Sequence, residues 1–124
     1  MVHVSEVSGY DALRGVISST KNKLYILFFA DRIDGVSWCP DCVKAEPTIR
    51  AALDTQSVKD NDITFVTCFV GPKDVWKDQG NPFRTSPDIV INCVPSLIEY
   101  GRLDRRLIDS ECADLTKVTE FLSE

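Results

Sequence analysis

Leu24-Tyr25-Ile26-Leu27-Phe28-Phe29-Ala30 is a run of seven apolar residues with no polar alternation. A strand with one wet face alternates apolar and polar side chains, because successive residues point to opposite sides. A strand apolar on both faces belongs inside a sheet that helices cover on each side. The run is also far shorter than the ~20 residues a bilayer-spanning helix needs. The chain is therefore expected to form an α/β layered domain with no membrane partner.

The flanking segments supply the helices. Tyr10, Leu13, Val16 and Ile17 recur at helical spacing, which predicts a first helix over residues 9–20, preceded by a strand. Ser8 with Asp11 three positions on resembles a capping box with Asp in place of Glu. A second helix is expected over residues 40–53, because Pro40 suits a first helical position and Val43, Ile49 and Leu53 offer an apolar face. Pro47 should kink it. Residues 63–70 mix Thr with Ile, Phe, Val and Cys and read as a strand.

Residues 71–87 are long and irregular, with one helical turn expected around 74–77. Residues 96–100 and 105–108 suit a hairpin around Gly101-Arg102-Leu103-Asp104. A last helix is expected near 111–122, with Leu115, Val118 and Leu122 on one face. The order β-α-β-α-β-(α)-β-β-α predicts an α/β fold with a mixed central β-sheet flanked by helices on both faces. No repeat or linker divides the 124 residues, so one domain over 1–124 is expected.

Nineteen acidic against fourteen basic residues give a net charge of −5, the wrong sign for a phosphate-binding surface, so no nucleic-acid partner is expected. The five cysteines are an odd set. The first residues show neither a basic stretch nor an apolar stretch of a secretory leader. Thiols kept reduced in the cytoplasm fit this better than a disulfide framework.

Cys39-Pro40-Asp41-Cys42 stands where the polar stretch after the apolar strand meets the second helix. At a helix start, unpaired N–H groups and the positive dipole end favour a thiolate at Cys39. Cys42 lies one turn later on the same side, within reach of a small disulfide ring. This pattern predicts that Cys39 attacks a disulfide and that Cys42 resolves the resulting mixed disulfide. A CxxC can also be half of a zinc site, but zinc needs four ligands. Here no second CxxC exists, and the only histidine is His3, near the start. No metal is expected, with zinc binding and inert packing as the alternatives.

Trp38-Cys39-x-x-Cys42, the proline five positions later (Pro47) and Val94-Pro95 resemble the thioredoxin superfamily over nearly the whole chain. The Trp38-Cys39-Pro40-Asp41-Cys42 pentapeptide, Ala45-Glu46-Pro47 and Trp76-Lys77-Asp78 resemble, more narrowly, the thioredoxin domain-containing protein 17 family, also called thioredoxin-related 14-kDa or Clot-like proteins. The resemblance implies a thioredoxin fold and a cis Pro95 facing the CxxC. It also implies that the Val94 backbone pairs with substrate as an added strand. From sequence alone, Pro95 reads equally as a trans proline opening an edge strand.

The implied activity is a disulfide reductase for small or selected disulfides, in small molecules or proteins. It would work as a monomer with no bound cofactor, taking electrons from NADPH through thioredoxin reductase. Two rivals stand: a peroxidase or denitrosylase using Cys39, and a redox-sensing binding module.

Two departures from ordinary thioredoxins stand out. Their buried Asp in the strand before the motif is matched here by Leu27. A carboxylate that takes the proton of the second cysteine is thus missing or moved, and Asp41 is the nearest candidate. The other reading of Asp41 is a solvated acid at the helix start. Residues 31–37 and 73–87 are also longer than in ordinary thioredoxins. They are read either as walls that narrow substrate choice or as passive surface. Trp38 is expected to shield Cys39 and Trp76 to pack. Cys93, two positions before Pro95, is either a third thiol near the pair or a buried inert one, and Cys68 and Cys112 read as core.

Overall fold

The apolar run becomes a strand in the middle of the sheet. The computed structural model describes residues 1–124. Its elements are β1 (His3–Ser8), α1 (Tyr10–Ser19), β2 (Lys23–Phe29), β3 (Arg32–Ile33), β4 (Val36–Ser37), α2 (Pro40–Leu53), α3 (Gln56–Lys59) and β5 (Ile63–Phe69). They continue with α4 (Lys73–Lys77), α5 (Pro82–Thr85), β6 (Ser96–Glu99), β7 (Arg102–Ile108), a 3₁₀ turn (Asp109–Ala113) and α6 (Leu115–Ser123). Five strands form one sheet in the order β1-β5-β2-β6-β7. β1, β5 and β2 are parallel, whereas β6 and β7 run antiparallel to their neighbours. His3 opens β1 opposite Thr64.

Alternation along β2 explains why both its faces are apolar. Tyr25 meets Phe121 of α6 edge-on at 5.5 Å, while Phe28 meets Phe83 of α5 at 5.8 Å. An odd–even split along the strand thus sends side chains into two separate layers. Every residue from Tyr25 to Phe28 is 0–1% exposed. Each such aromatic or aliphatic side chain contributes about 1.5–3 kcal/mol of burial free energy.

Several expectations need correction. Ser8 stays in β1 and caps nothing; Gly9 turns the chain at φ 89° and accepts from the Leu13 N–H. The buried face of α2 is Cys42, Ala45, Ile49 and Ala52, and Val43 is exposed. Small residues there let the helix lie close to the sheet. Pro47 sits on the exposed side, and α2 runs unbroken past it.

The final helix begins later than its composition suggests. Residues 109–113 form the 3₁₀ turn, and Asp114 then caps α6 by accepting from the Lys117 N–H at 3.1 Å. Leu115 is exposed, and Val118, Phe121 and Leu122 face the core. β7 starts at Arg102, opposite Glu99, with an irregularity in the register after Ile98.

Both long connections carry structure of their own. Residues 31–37 fold into the β3–β4 hairpin, closed by Asp34 (φ 53°) and Gly35 (φ 83°), the pair of positive φ angles a two-residue hairpin turn demands. In the second, α4 is joined by the unexpected α5. Asn81 accepts from the Phe83 and Arg84 N–H groups and precedes Pro82, an Asn-Pro helix start legible in the sequence.

Candidate active site

Cys39 is the N-cap residue of α2, held in extended backbone (φ −104°, ψ 113°) with Pro40 as the first helical residue. Its sulfur accepts the Cys42 backbone N–H at 3.3 Å. That N–H is one of the otherwise unpaired donors of a helix start. Cys39 also lies 3.5 Å from the Val94 carbonyl oxygen, to which its thiol donates. The Val94–Pro95 bond is cis, and both residues are buried. The structure thus brings Cys39, Cys42, Val94 and Pro95 together at the end of the sheet.

Cys42 is 0% exposed and Cys39 8%, and both thiols are unbonded. Burial pushes the Cys42 thiol far up; the Ala30 backbone opposes this, the neighbouring Cys39 adds to it, and the Ser37 hydroxyl lowers it. Ser37 was not singled out from sequence. It accepts from the Cys39 N–H at 3.2 Å and donates to the Ala30 carbonyl at 3.2 Å, so one hydroxyl links the motif to the end of β2.

The remaining motif residues divide by position. Trp38 is half-buried, and its indole N–H donates to the Gly71 carbonyl at 3.1 Å, tying the motif to the segment after β5. Pro40 and Asp41 are exposed on the first turn of α2. Asp41 is an exposed acid in the first turn of α2 and makes no hydrogen bond to either cysteine. Leu27 is 1% exposed, so no carboxylate arises from β2.

Cys93 is half-buried beside Val94, with its sulfur 3.5 Å from the Ser96 hydroxyl. Burial raises its pKa, opposed by the Ser96 hydroxyl. Cys68 and Cys112 are fully buried and burial pushes both up to about 12. Trp76 is 5% exposed; its carbonyl accepts from Asn81 and Arg84, and the Arg84 guanidinium lies 4.1 Å from its ring centre. It is a packing residue that holds α4 to α5. Phe83 in turn accepts from the Ile91 N–H at 3.0 Å, so the 73–87 segment braces the loop leading to Val94. No group of three or more His, Cys, Asp or Glu side chains is placed to hold a metal ion, and no helix is long and apolar enough to cross a membrane.

Comparison with known proteins agrees with this geometry. Residues 6–124 match the family model described as thioredoxin domain-containing protein 17-like, thioredoxin domain. The chain is 37% identical to thioredoxin domain-containing protein 17 of Mus musculus, covering 100% of this chain and 99% of that protein. It is 36% identical to the Homo sapiens protein of that name over 95% and 93%, and 37% identical to the thioredoxin-like protein Clot of Oryza sativa subsp. japonica over 75% and 70%. Among solved structures, reduced Schistosoma mansoni thioredoxin superposes with a TM-score of 0.59 at 16% identity, over 95% of this chain and 96% of that one. Malassezia sympodialis thioredoxin gives 0.59 at 18% identity, over 99% and 93%. The five-stranded mixed sheet is thus a thioredoxin fold, and the chain belongs to the thioredoxin domain-containing protein 17-like family.

Proposed function

We propose that this thiol oxidoreductase-like domain works as a disulfide reductase on small or selected disulfides, with Cys39 as nucleophile and Cys42 as resolving thiol. One observation carries the reading: the Cys39 sulfur accepts a helix-start N–H at 3.3 Å while lying 3.5 Å from the Val94 carbonyl. A substrate strand pairing with the Val94 backbone would bring its disulfide to that sulfur.

The Cys39 thiolate attacks one substrate sulfur, and the other leaves as a thiolate carrying the electron pair of the broken bond. Cys42 then attacks Cys39, releases the second substrate sulfur and closes the Cys39–Cys42 disulfide. Two electrons have passed to substrate. The family resemblance supports their return from NADPH through thioredoxin reductase, with no cofactor bound. The hairpin of residues 32–37 and the helical segment 73–87 flank the motif and support a narrow substrate range. Unpaired Cys68, Cys93 and Cys112 fit a monomer in the reducing cytoplasm.

The test couples the protein to thioredoxin reductase and NADPH and offers insulin, cystine and a nitrosothiol in parallel. Cystine turnover that disappears in Cys39→Ser is the expected result. Absence of turnover with every substrate, or turnover unchanged in Cys39→Ser, overturns it. Turnover of the nitrosothiol alone favours a denitrosylase, and a single stoichiometric oxidation without cycling favours a redox-sensing module.

A further inference from the structure

Cys42 has no solvent exposure, and its burial favours the protonated thiol. To act as a resolving thiol it must lose that proton, and a buried thiol cannot give it directly to bulk water. A cavity of about 120 Å³ opens beside it, between the β3–β4 hairpin and the first turns of α2. Cys42, Ser37, Val36, Phe29, Arg32 and Glu46 line it, and Glu46 is the only carboxylate on its wall. The space exceeds the roughly 10–15 Å³ that one water needs.

Glu46 stands four residues after Cys42, so the two side chains share one face of α2. Its carboxylate is paired with Arg32 of β3 and lies 3.4 Å from Arg50 of α2. Glu6 of β1 faces the same guanidinium of Arg32 at 3.9 Å. On its far side Glu46 also lines a second cavity of about 160 Å³, together with Leu27, Phe65 and Thr67. The sheet therefore offers Glu46 no further charge, and its titratable surroundings are Arg32, Arg50, Glu6 and Cys42.

We propose that Glu46 is the proton acceptor of Cys42, reached through the cavity the two residues share, with Arg32 and Arg50 both able to hold its carboxylate. This rests on the reading that Cys42 resolves a mixed disulfide on Cys39. In that step the Cys42 proton passes to the Glu46 carboxylate. The sulfur then forms the Cys39–Cys42 bond, the bond to substrate breaks, and the electron pair leaves on the substrate sulfur. Glu46 returns its proton to solvent. Because it acts through Cys42 and touches no substrate, Glu46 is a positioning and proton-accepting residue.

The test separates the two thiol steps. In a Cys93→Ser background, an equimolar nitrobenzoate disulfide releases one coloured thiolate as Cys39 attacks and a second as Cys42 resolves. Glu46→Gln should leave the first phase unchanged and slow the second about 100-fold near neutral pH. The slowed phase should climb in proportion to hydroxide concentration, and Glu46→Asp should restore much of it. Arg32→Gln, which spares the carboxylate and leaves Arg50 to hold it, should keep the second phase fast. A second phase unchanged in Glu46→Gln overturns the proposal, as does an equal loss in Arg32→Gln, which would mark a purely structural ion pair. A first phase that survives Cys39→Ser overturns the nucleophile itself, and the relay with it.

Discussion

The Cys39 thiol donates to the carbonyl of Val94 at 3.5 Å, across a sequence separation of 55 residues. In the proposed reading, the nucleophile and the backbone that would receive substrate are thus in direct contact. Any substrate disulfide held on the Val94 backbone sits within reach of the sulfur. Removing the resolving thiol should leave such a substrate stranded. Cys42→Ser is expected to accumulate mixed disulfides on Cys39, detected as mass additions reversed by reductant. Cys39→Ser, Cys42→Ser should show none.

Burial sorts the five thiols by reactivity. Cys68 and Cys112 are 0% exposed, with burial pushing each up to about 12. Alkylation of the native reduced protein at mildly alkaline pH should therefore label Cys39 and Cys93 and spare these two and the equally buried Cys42. Denaturant should expose all three at once. Peptide mapping reads the order, and early labelling of Cys112 would contradict the packing described.

Asp88 anchors a polar network outside the site. Tyr100 donates to it at 2.6 Å, Ser86 at 2.7 Å and Arg14 at 2.7 Å. Partial burial pushes its carboxyl up, but these hydrogen bonds and the Arg14 charge outweigh that and hold it at about 2. The folded value lies below the unfolded one of about 3.9. The stabilisation is therefore complete above pH ~4 and lost as pH falls toward ~2. Discounted for partial exposure, it is about 1 kcal/mol. Denaturant titrations should show Asp88→Asn less stable than the parent at pH 7, and the difference should vanish near pH 2.

Phe83 joins the 73–87 segment to the sheet, packing edge-on against Phe28 at 5.8 Å and Tyr10 at 5.7 Å. Phe83→Ala should lower unfolding free energy by about 3–5 kcal/mol. A loss below 1 kcal/mol would mean that this segment is not tied to the core.

The β3–β4 hairpin stands next to α2 and forms one wall of the Cys42 cavity. Trimming its tip, Ile33 to Val36, while keeping Arg32 and Ser37 should widen the range of protein disulfides reduced. A panel of folded disulfide proteins assayed at equal enzyme concentration gives the readout, and an unchanged range would make the hairpin passive surface.

Legibility in the sequence followed the range of the interaction. The helix at 40–53 was readable because Pro40 and the motif mark its start locally. Spacing places the last helix from about residue 111, yet residues 109–113 form a 3₁₀ turn and only Asp114 supplies the cap that begins α6. Val43 and Leu115 fit helical spacing as well as their buried neighbours do, so periodicity alone assigned them inward. Only docking on the sheet chose which stripe faces the core.

By itself the sequence determined the sheet's covered middle strand, the helix that carries the cysteines and the likeness of the pentapeptide to one family. These are local properties: a residue's polarity, its neighbours' spacing and its cap. Tertiary structure decided that Val94 meets Cys39, that Asp41 points to solvent and that Glu46 shares a cavity with Cys42. Arg32 and Glu46 lie 14 positions apart on a hairpin and a helix, and neither element dictates the other's placement. What joins them is the packing of the hairpin beside α2, a constraint that no stretch of sequence states alone.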